Sequence, residues 1–500
     1  MIDTKIVKVV LKQNLFASIC VVISLQGQVQ PSPSQVSQYS IPNKSVLAKV
    51  GDKVITVREF RARSEFTVRP DNFKNKNITL NNLILEKVLA LEAEHDTGAT
   101  LRPAFQSMLD GIKEQQMRAQ LYYEVAYNKA KLSPEEVRSA YALSMREYEL
   151  EFYRLPNKKF ADRVQDVIKN TPELSDTLFK EIEGTLGKVP IHKAKFDDDD
   201  DNAIQTALYA RPLQQGEVLG PIRLGDGGYI VMKVLSWTTY PVIGEGDQKV
   251  RWDKVSDIIR NRKAEKQWYA YQASVMKGKQ LKFEKHALDV LSTWAMDNYF
   301  LGKQNDSLDI NIAPVEEKKP EIDFGITFFT LEKKAWTIND FRSILRTHPL
   351  VYRTKALDSS NFREQFKLAI IDLVRDHFIT RAAYKKKLDT HEEVRNIVAR
   401  WKDSFLSDGM QKKIVDDGVK NGIVNKDDQR NLSQFWDSRM LDLQKKYGHK
   451  IWIDYDLLNK VSLTQIDMIT LKPGFPYPLE VPRFPLLMVS ENLNYATLKQ

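Results

Sequence analysis

The chain of 500 residues has a single cysteine, Cys20, which excludes a disulfide framework and cysteine-based metal sites. Its seven histidines are scattered, with no pair at metal-ligand spacing. Neither sign of charge dominates. Lys plus Arg is 75 and Asp plus Glu is 66, a net +9 with no arginine-rich arm or basic tail to suggest a nucleic-acid partner. With 21 Gly and 20 Pro the chain is neither collagen-like nor of low complexity. It has no Gly-rich phosphate loop and no nucleophile-elbow motif, and past its first 25 residues it has no long apolar run. What is there is ordinary for a folded protein, 42% hydrophobic and 28% charged, with length enough for two to four domains.

Lys5, Lys8 and Lys12 precede the apolar run Leu15–Leu25, whose eleven residues are too few to span a bilayer. A positive segment followed by an apolar run of this length is the pattern of a secretory signal, expected to cover about residues 1–27. Lipidation at Cys20 is disfavoured, because Ile19 precedes it and Val21, Val22 and Ile23 continue the run. The expected mature chain is exported, periplasmic and without a transmembrane segment.

Self-similarity organises the rest. Ile55-Thr-Val-Arg-Glu-Phe60-Arg61 resembles Trp336-Thr-Ile-Asn-Asp-Phe341-Arg342 at an offset of 281. Leu83, Ile84, Val88, Leu89 and Ala93 line up with Leu373, Val374, Phe378, Ile379 and Ala383 at 290. Gly278, Leu281, Phe283, Glu284, Leu288 and Leu291 match Gly448, Ile451, Ile453, Asp454, Leu458 and Val461 at 170. The change of offset implies that the first copy holds an inserted small domain. The expectation is therefore an α+β protein of mostly helical modules. Residues 46–145 plus 250–295 form the first module, 146–240 the insert, 303–322 a linker and 328–500 a second module without insert. Helices are expected over 78–97, 101–130, 254–276, 361–387, 391–416 and 427–446. Another opens at Ser133-Pro134-Glu135-Glu136, a capping box with Pro at the first helical position.

In the insert, Tyr148–Leu155 alternates as a strand that Pro156 ends, and Phe160, Val164, Val167 and Ile168 form a helical stripe. Gly216-Glu-Val218, Gly220-Pro-Ile222 and Gly228-Tyr-Ile-Val-Met-Lys-Val234 punctuate two closing strands. This order and these words resemble the parvulin-type (PpiC) peptidyl-prolyl isomerase domain. The flanks, with Leu132-Ser-Pro-Glu-Glu-Val137-Arg138 and Tyr141, look like exported foldases of the SurA, PpiD and PrsA type. The resemblance covers roughly residues 46–295. It implies one histidine on the first strand and another after the Gly-Tyr of the last. At the first position this chain has Tyr153, or alternatively Phe152. At the second, beside Tyr229, it has Ile230. The insert's own histidine, His192, lies away from either strand in the sequence. Isomerisation has only to lower a barrier of about 18–20 kcal/mol by favouring a twisted amide, and Ile230 offers nothing polar toward that. Weak or absent isomerase activity is expected, with Tyr153, Tyr229 and Ile230 as pocket positions.

The remaining motifs are weaker. Asp197, Asp199 and Asp201 have the spacing of a calcium loop, but Asn202 and Leu208 stand where its Gly and Glu belong. His391-Glu392-Glu393 lacks a second histidine and reads as surface charge. No cofactor or metal is expected. Pro473–Pro485 carries five prolines and is too apolar for a linker. Such a segment either packs along the protein's own helices or occupies a client groove as a pseudo-substrate. The functional expectation is a chaperone that binds unfolded polypeptides, with outer-membrane or secreted proteins as clients on the strength of the resemblance. The alternatives are an active prolyl isomerase and a non-catalytic envelope assembly subunit.

Overall fold

A computed structural model of the chain describes residues 41–64, 73–96, 103–155, 157–198, 201–303, 323–354, 357–463, 475–478 and 481. The expected signal segment lies outside these residues, as do nearly all of the linker and most of the proline-rich tail.

From the amino end, a hairpin β1 (Val46–Val50) and β2 (Lys53–Thr56) leads into helix α1 (Val57–Ser64), followed by α2 (Phe73–His95), α3 (Pro103–Val125) and α4 (Pro134–Ser144). The inserted segment follows as β3 (Arg146–Leu155), α5 (Lys158–Asn170), α6 (Ser175–Leu186), β4 (His192–Lys195), α7 (Asn202–Tyr209), β5 (Val218–Arg223) and β6 (Tyr229–Thr239). Then come α8 (Glu245–Met276), β7 (Leu281–Phe283), α9 (Lys285–Lys303), the hairpin β8 (Thr327–Leu331) and β9 (Lys334–Thr337), and α10 (Ile338–Leu345). The chain continues through α11 (Phe362–Lys385), α12 (Glu392–Lys420), α13 (Gln429–Tyr447), β10 (Ile451–Ile453) and α14 (Tyr455–Lys460). Long helices with small antiparallel sheets make the protein α+β, and each expected helix appears, with ends within five residues of those predicted except for α8, which starts at Glu245 rather than 254. At α4 the local chemistry reads directly. Glu136 N–H donates to Ser133 Oγ (3.1 Å), Ser133 N–H donates to the Glu136 carboxylate (2.7 Å), and Pro134 follows the cap.

The chain divides into two compact units. One holds residues 119–345 and 349–382, and so the insert. The other holds 35–118, 346–348 and 383–500. Each contains a three-stranded sheet, ordered β7-β8-β9 in the first and β10-β1-β2 in the second. The two sheets correspond strand for strand. Val50 lies opposite Ile451 and Ala48 opposite Ile453, just as Leu331 lies opposite Leu281 and Phe329 opposite Phe283. Both hairpins carry a register shift at the same place, between Val46 and Ala48 and between Thr327 and Phe329. Asp454 N–H donates to Leu47 O (2.9 Å), and Glu284 N–H to Phe328 O (3.0 Å). The hairpin turn needs a left-handed residue at one matching position, filled by Gly51 in one sheet and, at greater steric cost, by Glu332 in the other. The segments cross between the expected modules. The hairpin at 46–56 takes its third strand from 451–453, and the hairpin at 327–337 takes its own from 281–283.

In the second unit the main core joins Leu80, Leu83, Ile84, Val88 and Leu89 of α2 to Leu406 and Met410 of α12 and to Trp436, Met440 and Leu443 of α13. In the first, Phe328, Phe329, Phe341, Phe362 and Phe366 build an aromatic core with Leu288 and Leu291 of α9. Among the described residues no helix is long and apolar enough to cross a membrane.

Candidate functional site

The insert is a four-stranded antiparallel sheet of order β4-β3-β6-β5. Its entry and exit are adjacent, since Arg146 pairs with Thr239 and Tyr240 N–H donates to Met145 O (2.8 Å). Side chains alternate across a pleated strand, so register decides which candidate residues meet. Tyr153 lies opposite Val231, Phe152 opposite Met232 and Arg154 opposite Ile230.

One face is covered by α5 and α6. There Tyr153, Leu155 and Val231 pack with Phe160, Val164, Leu178 and Phe179, and Tyr229 lies half-buried against them. The Tyr153 ring meets Phe179 edge-on at 5.2 Å, and its hydroxyl donates to Gly187 O (3.0 Å). Burial, with the Glu183 and Glu151 carboxylates adding to it, holds the Tyr153 phenol above its ordinary pKa.

Ile230 and Met232 belong to the opposite face, with Leu208 of α7, Leu213 and the half-buried Phe152, Leu219 and Ile222. The preferred pair of sequence candidates, Tyr153 and Ile230, is thus split by the sheet. The alternative, Phe152, shares a face with Ile230. His192 is not remote from the strands. It opens β4, pairs with Leu150 of β3, and presents its ring edge-on to Phe152 at 5.7 Å. Sequence distance hid this, because two helices intervene between β3 and β4.

At the end of the same face Arg154 forms an ion pair with the buried Asp226, whose carboxylate also accepts from Gly228 N–H (2.7 Å). Gln365 of α11 donates to Asp226 O (3.0 Å), so the β5–β6 turn is pinned from outside the insert. No short motif announces Arg154, Asp226 or Gln365 as partners. Taken together, the face is aliphatic and aromatic with one imidazole, and Ile230 and Met232 are buried in it while Phe152, Leu219 and Ile222 are half-buried. That offers few groups to favour a twisted amide.

The other singled-out residues have structural partners. Asp197 pairs with Arg251 (3.1 Å) and Lys254, while Asp201 caps α7 by accepting from Ala203 N–H (2.8 Å). Asp199 lies outside the described residues, and no group of three metal-ligating side chains is present among the described ones. His391 caps α12, and beyond surface charge Glu392 and Glu393 pair with Lys44 (2.9 Å) and Arg58. From the proline-rich tail, Tyr477 and Val481 are buried among α3 and α12 residues, along the protein's own helical surface.

The chain matches no protein-family model and no curated protein. Among solved structures it is similar to a peptidylprolyl isomerase, PrsA, from Bacillus cereus. The identity is 12% and the TM-score 0.18, over 47% of this chain and 93% of that one.

Proposed function

We propose that this protein is an exported chaperone that binds unfolded polypeptides, carrying a parvulin-like domain whose isomerase activity is weak or lost. The observation that carries the reading of weak or lost catalysis is the face of the insert bearing Phe152, Ile230 and Met232, where Ile230 and Met232 are buried in the insert's own core. It has the strand, helices and closing hairpin that the sequence resemblance implies, yet apolar side chains where that family keeps its histidine pair. Catalysis needs groups that bind the twisted amide better than the planar one, whereas holding a client segment reversibly needs only exposed apolar side chains. The exit of the insert supports the same reading, for Tyr240, Ile243 and Val250 are each more than half exposed. We further take the two matching sheets as two copies of one module. The amino-terminal 1–27 segment would direct the chain to the periplasm, which cell fractionation would check.

A second reading, an active isomerase, is favoured by His192 beside Phe152. Two assays separate the readings. Suppression of aggregation of an unfolded client, without acceleration of a proline-limited refolding step, is the expected result. Acceleration that His192→Ala abolishes would establish the second reading, and absence of both activities would leave a non-catalytic assembly subunit.

A further inference from the structure

Tyr477 and Val481 lie buried in a groove between α3 and α12. Tyr477 stands between Pro476 and Pro478, so among these three residues its amide is the one that can donate. Gln115, 1% exposed, brackets it. Tyr477 N–H donates to Gln115 Oε1 and Gln115 Nε2–H donates to Tyr477 O, both at 3.1 Å. This bracket reads main chain, so any residue with a free N–H and C=O satisfies it.

Side-chain selection comes from two places. The Tyr477 ring fills a notch at Gly111, where an added methyl would lie 2.4 Å from the ring and 2.3 Å from its hydroxyl. That hydroxyl donates to Thr347 O. Four residues on, Val481 packs with Leu109, Ile112, Ile397 and Trp401. The buried Trp401 indole N–H has no hydrogen-bond partner among the described residues, leaving a donor on the groove wall. Main-chain bracketing of a proline-flanked residue, with pockets for spaced side chains, is a peptide-recognition mode.

Resting on the proposed function above, we propose that this groove binds proline-flanked aromatic segments of client polypeptides, and that Tyr477 and Val481 are its built-in occupants, which leave when a client segment enters. A tethered occupant acts at an effective concentration of order millimolar, so its removal should tighten the apparent affinity of a free peptide about 10- to 100-fold.

The test uses the full chain and a fluorescent synthetic copy of residues 475–481. Anisotropy should show tighter binding to Tyr477→Ala than to the unmodified chain, and loss of binding when Gly111→Val is added. Hydrogen exchange on the unmodified chain needs no variant to fold, and there the fragment bearing the Tyr477 amide should lose protection as peptide saturates. Equal binding to all three chains, or protection that persists at saturation, would overturn the proposal. Aggregation suppression that neither substitution alters, with no peptide bound, would overturn the groove and leave the chaperone reading standing. Peptide exchange without aggregation suppression would support the groove and remove that reading.

Discussion

Replacing Lys87 by Met should expose how the second unit is held together. The ammonium is 2% exposed and lies 2.9 Å from Glu59, 3.1 Å from Asp403 and 3.8 Å from Glu86. Arg63 holds Glu86 through two hydrogen bonds (2.7 and 3.2 Å), and Lys53 reaches Asp403 at 2.8 Å. The cluster is therefore a charge-matched buried network. Burial pulls the Lys87 pKa down, but Glu59, Asp403 and Glu86 more than offset it and leave the group above its ordinary value. Burial likewise pushes Glu59 up, while Lys87, Arg400 and Arg63 bring it below its ordinary value.

The methionine fills similar space but strands Glu59 and leaves Asp403 with one cation fewer. Removing one partner of such a buried set costs about 3–5 kcal/mol at pH 7. In a unit of this size that is a drop of roughly 6–20 °C in melting temperature. The pH dependence supplies a sharper check. In the native protein the depressed Glu59 contributes stability above its unfolded value of 4.5, lost as pH falls through the folded one. The raised Lys87 contributes below 10.5, lost as pH rises past its folded value. In the variant Glu59 no longer has its ammonium and burial dominates, so it takes up a proton at higher pH and sheds the uncompensated charge. The penalty should therefore shrink between pH 7 and pH 4. Urea titration followed by hydrogen exchange of peptides from α2 and α12 would measure it. A penalty below about 1 kcal/mol at pH 7, or one that grows on acidification, would refute the reasoning.

Glu265 of α8 behaves oppositely. Burial raises its pKa to about 7 against a bond from Asn202 and the charge of Arg262, with Asp201 adding to the rise and the Tyr122 and Tyr269 hydroxyls nearby. The stability this raised carboxyl contributes is complete below its unfolded value of 4.5 and is lost as pH climbs through 7. Glu265→Gln should therefore raise stability at pH 8 by about 1–3 kcal/mol while changing little near pH 4.5, as thermal melts at the two pH values would show. Tyr153→Phe should leave any proline-limited refolding rate as it is and cost about 0.5–1.5 kcal/mol from the lost bond to Gly187; a fall in rate would return Tyr153 to the chemistry. Deleting residues 146–239 and joining Met145 to Tyr240 through a short glycine linker should spare the second unit yet weaken the first turns of α8, because Ala140, Leu143 and Val255 share one core with the insert. Unchanged hydrogen-exchange protection over residues 245–262 would show that the insert is energetically separate.

The parts of this fold legible in the sequence are those set by local chemistry. The capping box at Ser133, the long helices and the strands punctuated by Gly216, Gly220 and Gly228 all follow from residues a few positions apart. Helix α2 shows where that reading ends. Its apolar residues Leu83, Ile84, Val88, Leu89 and Ala93 roughly share one face, yet from Leu80 to Leu91 every residue is buried, Glu86 and Lys87 included. Charged side chains read as a solvated face unless their partners are known, and here Asp403 comes from the far end of the chain. His192 and Asp226 were hidden for the same reason. Their neighbours Phe152 and Arg154 are set by sheet register, and register is a long-range property.

The crossing of the third strands is the clearest instance. Val50 closes on Ile451 rather than on the nearer Leu281, a loop less than twice as long, and each doubling costs only about 0.6 kcal/mol. Closure entropy therefore does not choose between the two. Nor do the strands, since Ile451 and Ile453 occupy in one sheet the positions that Leu281 and Phe283 occupy in the other, at the same register and with similar apolar bulk. Selection has to come from the helices that flank them. Around β1 and α2 it comes as apolar surface from α12 and α13 together with ion pairs that only those helices supply, among them Lys87–Asp403, Lys53–Asp403, Arg58–Glu393 and Lys446–Glu92. The two on the buried Asp403, Lys87–Asp403 and Lys53–Asp403, add little net stability over apolar replacements but are costly to mismatch, which makes them suited to specifying a partner. In this chain they fix which of two nearly equivalent strands completes the sheet.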